Sequence, residues 1–340
     1  GEDWNKTTLY GAFENLLDEI KDDERFRPDL VVYIGGHIVS KKLKSYLRSL
    51  KGVEQIRISQ EADIEDTFMH LTKVMDLPNS DAMSWLGNFG WHNHWEEYRR
   101  LWMDALAKSY ERKENFKPEF SSLATVKEFF SQLQKVEPQD FKAFTLGDKD
   151  AQDDGIYDRE FDTFLPGLMS SVISGNSSAI RLMNLYADRH VYCNRGVNGI
   201  EGSLSTAVGF SMCKNKSDKH VYCVLGDLSF FYDQNALWNR NLNGKLRIIV
   251  LNNGGGAIFG KFQGLKESQA REEIIMAKHH ATAEGICSQN EVKYLAAHTK
   301  EEMEQGISQL IHAESERPML LEVFTDMDVD NEMLEAIQKC

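Results

Sequence analysis

The chain has 340 residues, 41% hydrophobic and 27% charged, which is enough for two ordinary domains with separate cores. Its formal net charge of −14 leaves no surplus of Lys and Arg for phosphates, arguing against a nucleic-acid partner. No apolar run approaches the ~20 residues that span a bilayer, so membrane insertion is not expected.

In chain order, Leu9 to Ile20 has apolar Phe13, Leu16, Leu17 and Ile20 at helical spacing. Leu30 to Ile34 is a short continuous apolar run closed by Gly35-Gly36, the pattern of a parallel strand covered on both faces. A helix over Lys41–Leu50 and a strand over Val53–Ile58 complete a strand-helix-strand unit, hence a small parallel sheet. His94 to Glu111 reads as a helix with Trp95, Tyr98, Trp102 and Leu106 on one side; its tryptophans are expected as core or interface anchors.

Lys117-Pro118 marks a boundary, giving domains 1–117 and 118–340, and Ser121 or Ser122 can cap a helix running through Leu133. Lys135 to Asp162 is acidic and without periodicity, and its carboxylates (Glu137, Asp140, Asp148 and others) are expected on an exposed connection. Strands then follow at Met169–Ile173, Val191–Cys193, Val221–Leu225, Leu246–Leu251 and Met319–Phe324. Helical patterns cover Ile200–Lys214, Phe230–Leu242 and Glu301–Ala313, so the fold class is α/β, with two doubly wound parallel-sheet domains.

The five cysteines have no CxxC spacing, and Cys223 lies inside an apolar strand, where a thiol acts as a small hydrophobe. The N-terminus shows no basic region leading into an apolar one. Both features suit a reducing, cytoplasmic compartment.

Chemistry concentrates where two strands end. Gly226-Asp227-Leu228-Ser229 follows one strand and Asn252-Asn253-Gly254-Gly255-Gly256 follows the next. Mg²⁺ takes near-octahedral oxygen ligands, usually one or two from protein beside substrate phosphates. Asp227 can offer a carboxylate, Asn253 an amide oxygen and Gly255 a backbone carbonyl, beside glycines that leave space for a diphosphate. A helix starting near Ser229 would aim free N–H groups at that anion. The competing interpretation is that Asp227 caps the helix and the asparagines make a turn. His279-His280 lacks a carboxylate at recognisable spacing and is expected to be structural or exposed.

These residues, with Asn194-Arg195-Gly196, Gly199-Ile200-Glu201-Gly202 and Tyr232-Asp233-Gln234-Asn235-Ala236-Leu237, carry a resemblance. The chain resembles the 2-succinyl-5-enolpyruvyl-6-hydroxy-3-cyclohexene-1-carboxylate synthase family, thiamine-diphosphate transferases of menaquinone biosynthesis. The third motif position, usually glycine in thiamine enzymes, is Leu228, as is characteristic of that branch. The resemblance implies a central Rossmann-like domain followed by a diphosphate-binding domain. It also implies thiamine diphosphate with Mg²⁺ or Mn²⁺, and metal ligands Asp227, Asn253 and Gly255. Ser177, Gly226, Leu228, Ser229 and Gly256 join these in holding the cofactor.

The implied reaction decarboxylates 2-oxoglutarate and adds the remaining unit to isochorismate. Both substrates are polyanionic and call for cations. Matching substrate positions are Lys41, Lys42, Ser177, Arg181 and Arg195, with an apolar wall of Ile200, Ile258, Phe259 and Phe262. Lys42 departs from the Lys-Arg pair common in the family, and an ammonium cannot repeat a bidentate guanidinium contact. Family members are homodimers or homotetramers and begin with a pyrimidine-binding domain whose glutamate activates the cofactor. No such domain is recognised here, so no catalytic residue is assigned and the chain alone is expected to be inactive. Two alternatives stay open: another carboligase or decarboxylase, related to acetohydroxyacid synthase, or a non-catalytic diphosphate or nucleotide-binding module.

Overall fold

The computed structural model describes residues 13–34, 38, 40–60, 64–88, 94–137, 170–196, 199–214, 219–261 and 268–339. The chain forms two compact units, one containing the described residues through Asn115 and the other those from Phe116 to Lys339.

The first unit is built on a parallel sheet of β1 (Leu30–Ile34), β2 (Glu54–Ser59) and β3 (Lys73–Asp76), in that order. The helix Phe13–Ile20 buries Leu16, Leu17 and Ile20 against Tyr46 and Leu50. Ser40 caps the helix Lys41–Ser49 through its hydroxyl, which accepts from Leu43 N at 3.0 Å. Trp102, on the long helix His94–Asn115, packs edge-on to Phe26 at 5.3 Å, so this tryptophan is a core anchor as expected. The side chain of Trp95 lies outside the described residues.

The second unit carries a six-stranded, all-parallel sheet. Its strands are β4 (Ser171–Ser174), β5 (Val191–Cys193), β6 (Val221–Gly226), β7 (Leu246–Asn252), β8 (Lys293–Ala297) and β9 (Met319–Phe324), ordered β5-β4-β6-β7-β9-β8. The central strands β6 and β7 are nearly fully buried, which is why they read as unbroken apolar runs. Cys223, Leu225, Phe230, Ile248, Val250 and Leu320 share one core. Each large apolar side chain sealed there contributes about 1.5–3 kcal/mol. Ser121 caps the helix Ser122–Val136, and Thr299 with Glu302 forms a capping box on Lys300–His312.

Three expectations are corrected. Glu137 does not join a solvated acidic run: it is buried, its carboxylate accepting from Ser170 N at 3.0 Å, Ser170 Oγ at 2.9 Å and Arg189 Nη1 at 2.8 Å. The rest of that acidic run lies outside the described residues. The helix expected over Phe230–Leu242 is instead Asp227–Asp233 followed by a 3₁₀ turn over Gln234–Trp238. The Asp233 carboxylate reaches across to Ser205 N at 2.7 Å and to the Ser205 hydroxyl, so that helix ends where its last residue caps another. The helix at Ile200–Lys214 is shorter, Ser203–Met212, because Gly202 turns the chain at φ +81. Strands β3 and β8 and the helices Asn79–Asn88, Glu284–Gln289 and Met327–Gln338 had no expectation. Among the described residues no helix is long and apolar enough to cross a membrane.

At the N-terminal edge of this sheet Arg247 is buried and closes the end of the helix Lys300–His312. It donates from Nε to Leu310 O at 3.0 Å and from Nη2 to Ala313 O at 2.9 Å. Nη2 also lies 3.2 Å from His220 Nε2, which must then be the acceptor. Burial, and next the Arg247 charge, push His220 down to about 4. The unfolded chain therefore binds this proton more tightly, and stability should be lost as pH falls from about 6.5 towards 4. Urea unfolding across that window should show the wild type losing on the order of 1–2 kcal/mol more than His220→Asn, after discounting for partial exposure.

Candidate functional site

From β4 the chain moves to β5 on one side and then returns past β4 to β6 on the other. The crevice between the C-terminal ends of β4 and β6 is thus the topological switch point, where open parallel sheets hold their ligands. Asp227 follows β6, Ser177 lies just past β4, Arg195 follows β5 and Asn253 follows β7. Four adjacent strands therefore deliver their polar ends to one edge.

Asp227 opens its helix directly from the strand and is 3% exposed. Its Oδ1 accepts from Leu228 N at 2.6 Å and its Oδ2 from Gly255 N at 2.8 Å. The second contact joins the two halves of the motif. Asn253 donates from Nδ2 to Asp330 Oδ2 at 2.8 Å, which fixes the amide and leaves Oδ1 as its acceptor end. Asp330 also accepts from Ser122 N at 2.7 Å, Ser122 Oγ at 2.6 Å and Thr325 Oγ1 at 3.1 Å. Burial raises its carboxyl above the usual range, opposed by those donors.

The glycine cluster is backed by chain rather than by open space. Gly254 and Gly255 have φ of +78 and +148, and a side chain on Gly255 would stand 2.6 Å from Met276 O. Gly256 N donates to Met276 O at 2.6 Å, and His279 N to Gly254 O at 3.0 Å. The segment 276–279 is thereby laid against the loop, and His279 Nε2 comes within 3.2 Å of Asp227 Oδ2, short of good hydrogen-bond alignment. His280 is exposed, while half-buried His279 has a carboxylate neighbour that no sequence spacing marks, brought from a distant strand end. Interaction with Asp227 raises the imidazole pKa, with burial opposing it.

Behind this segment stands Glu322, fully buried on β9. Its Oε1 accepts from Asn252 Nδ2 at 2.7 Å, and its Oε2 from Ala283 N at 2.9 Å and the Tyr294 hydroxyl at 2.8 Å. Asn252 Nδ2 also donates to Ala281 O at 3.1 Å, so Glu322 and Asn252 together fix residues 281–283.

On the β4 side, Gly175 lets the turn press on β6, since a side chain there would lie 2.8 Å from Leu225 Cβ. Ser177 has φ +66 and ψ −121 and places no cap on the helix Ser178–Tyr186 that it introduces. Such strain costs on the order of 1–3 kcal/mol and clusters at ligand sites. Asn176, 3% exposed, ties this turn to the next one. Its Nδ2 donates to Asn194 O at 2.9 Å and to Gly199 O, while its Oδ1 accepts from Arg195 Nη1 at 3.2 Å. Arg195 Nε is buried without a hydrogen bond.

The structure thus brings together Asp227 and Gly255, with Asn253 two residues before that glycine and bonded to Asp330, and separately Arg195 with the turn before Ser177. Gly226, Leu228, Ser229 and Gly256 lie within the same strand ends, Ser229 buried and Leu228 half-buried. Ile200 and Ile258 are half-buried and Phe259 is 40% exposed, against Gly256. Arg181 is on the first turn of its helix, and Phe262 lies outside the described residues. Lys41 and Lys42 belong to the first unit, where Lys42 is paired with Asp18 at 2.6 Å. The sequence reading assigned no role to Asn176, Asp233, Asp330 or Glu322. The first two sat inside the motif block and could have been suspected, whereas nothing local marks the last two.

A carboxylate, an amide oxygen and a backbone carbonyl form a hard-cation donor set. Among the described residues no group of three or more His, Cys, Asp or Glu could hold a metal, and Mg²⁺ ordinarily completes its shell with water and phosphate oxygens. The residues fit a Mg²⁺-diphosphate ligand on these grounds.

Residues 174–323 match the family described as thiamine pyrophosphate enzyme, C-terminal TPP binding domain. Among curated proteins the chain is similar to the 2-succinyl-5-enolpyruvyl-6-hydroxy-3-cyclohexene-1-carboxylate synthase of Phocaeicola vulgatus. Identity is 31% over 334 residues, covering 95% of this chain and 51% of that protein. The synthase so named from Bacteroides thetaiotaomicron is 33% identical, covering 90% of this chain and 49% of its own length. That of Christiangramia forsetii is 32% identical, covering 96% and 51%. The chain spans about half the length of the curated relatives it matches.

Proposed function

We propose that this chain, whose residues 174–323 form a thiamine pyrophosphate enzyme C-terminal domain, serves the same reaction as those relatives. In that reading it takes part in the decarboxylation of 2-oxoglutarate and the addition of the remaining unit to isochorismate. The observation that carries it is the Asp227–Gly255 contact between the ends of β6 and β7, beside the switch point, with strained Ser177 and half-buried Arg195 past the ends of β4 and β5.

When bound, thiamine diphosphate would supply the carbanion chemistry. The chain's own residues bind and orient. Asp227 Oδ1 or Oδ2, Asn253 Oδ1 and the Gly255 carbonyl would hold the divalent cation. The N-terminus of the helix that Asp227 opens would face the diphosphate. Arg195 and Arg181 would neutralise substrate carboxylates, Arg195 held in place by Asn176. Ile200, Ile258 and Phe259 would keep water from the reacting centre.

The test uses the natural protein containing this chain, supplied with Mg²⁺ and thiamine diphosphate. Consumption of 2-oxoglutarate with isochorismate, in clear preference to pyruvate, is the expected result. Preference for pyruvate would move the protein to the acetohydroxyacid synthase side. Calorimetric binding of ATP or NAD in place of thiamine diphosphate would reject both.

A further inference from the structure

We infer that His279 is a positioning residue for Asp227, holding the carboxylate in the orientation that the cation requires. The inference rests on the cofactor reading above and adds a residue to it.

The tautomer is written in the backbone. Ala281 N donates to His279 Nδ1 at 3.1 Å, so Nδ1 carries no proton and the ring hydrogen sits on Nε2. Nε2 lies 3.2 Å from Asp227 Oδ2, within donor distance of that oxygen though not aligned as a hydrogen bond. Three features prevent the ring from swinging away. Its own backbone N–H is bound to Gly254 O at 3.0 Å. Its ring packs perpendicular to that of Phe231, with centroids 5.3 Å apart. Residues 281–283 are fixed by Asn252 and by Glu322, whose carboxylate is completely buried.

The chain from Glu322 through Asn252 and Ala281 to His279 therefore ends at Asp227. Leu228 N and Gly255 N already donate to the same carboxylate, and His279 Nε2 stands where a third donor would reach it. A ligating carboxylate oriented by outer hydrogen bonds binds metal more tightly, and loss of such a partner costs about 10–100-fold in affinity.

Glutamine places an amide nitrogen near the position of Nε2, whereas asparagine reproduces Nδ1. His279→Gln can still donate to Asp227 but loses the Ala281 contact; His279→Asn does the reverse. Mg²⁺-dependent binding of thiamine diphosphate to the natural protein containing this chain is measured by calorimetry, with thermal midpoints for each variant. H279Q should stay within about threefold of the wild type, while H279N and His279→Ala weaken by about 10–100-fold. The reverse ranking would make His279 a loop staple and overturn the inference, as would equal affinities. A second readout needs no cofactor: side-chain ¹⁵N shifts should show a protonated Nε2 and a bare Nδ1. The opposite tautomer overturns the inference whatever binds. No binding by the wild type together with the expected tautomer would fault the cofactor reading, leaving the hydrogen-bond assignment standing.

Discussion

Replacing Asp227 by serine is expected to weaken Mg²⁺-dependent thiamine diphosphate binding by at least about 100-fold, beyond the usual loss for an outer partner. Serine discriminates better than alanine. A hydroxyl serves well at a helix start, so if Asp227 were only a cap, D227S would bind as the wild type does. If the carboxylate is a ligand, a neutral hydroxyl in its place removes the one formal negative charge among the proposed protein donors. Geometry favours the second outcome, because Asp227 bonds to the Gly255 N–H at the end of the neighbouring strand as well as to its own helix. Asp227→Ala adds a folding penalty, since both N–H groups lose their acceptor at about 1–3 kcal/mol each. Calorimetry on D227S, with its circular dichroism melt as control, separates binding from folding. Wild-type affinity in D227S would sink the ligand role.

The largest expected effect on stability lies at the opposite edge of the same sheet. Arg189 donates to Glu137 Oε2 at 2.8 Å, to Glu137 O at 3.2 Å and to Asp188 Oδ1 at 2.9 Å. Side-chain exposures are 4%, 7% and 8% for Arg189, Glu137 and Asp188, so solvent screens little of this cluster. Arg189→Ala would strand two buried carboxylates and should cost about 3–5 kcal/mol. Urea unfolding reads the loss directly, and addition of Glu137→Gln should recover part of it. A loss under ~1 kcal/mol would mean that the cluster is solvated in practice. The same cluster fixes Glu137 beside Ser170, which is why one acidic residue of a run read as solvated is buried.

The strands that were legible in the sequence share a physical cause. Leu246–Asn252 and Val221–Gly226 sit centrally, so both faces are covered and the run is apolar without interruption. The two missed strands, Lys73–Asp76 and Lys293–Ala297, are at sheet edges, are partly exposed and begin with lysine. An edge strand needs less apolar surface, and its pattern fades into that of a loop. Helix ends were legible where a side chain caps them, as with Ser121. They were illegible where the partner is remote, as where Asp233 stops its own helix to cap another.

The sequence by itself determined the α/β class, the positions of the buried strands and the placing of Asp227 and Asn253 just past two strand ends, because local apolar runs depend on neighbours in the chain. Tertiary structure alone decided the rest of the site. It set the strand order that makes β4 and β6 the switch point, and it bonded Asp330 to Asn253. It also brought His279 to Asp227 by way of glycines that admit the 276–279 backbone. Those contacts join residues far apart in the chain. No spacing rule encodes them; they follow from which strand ends the sheet sets side by side.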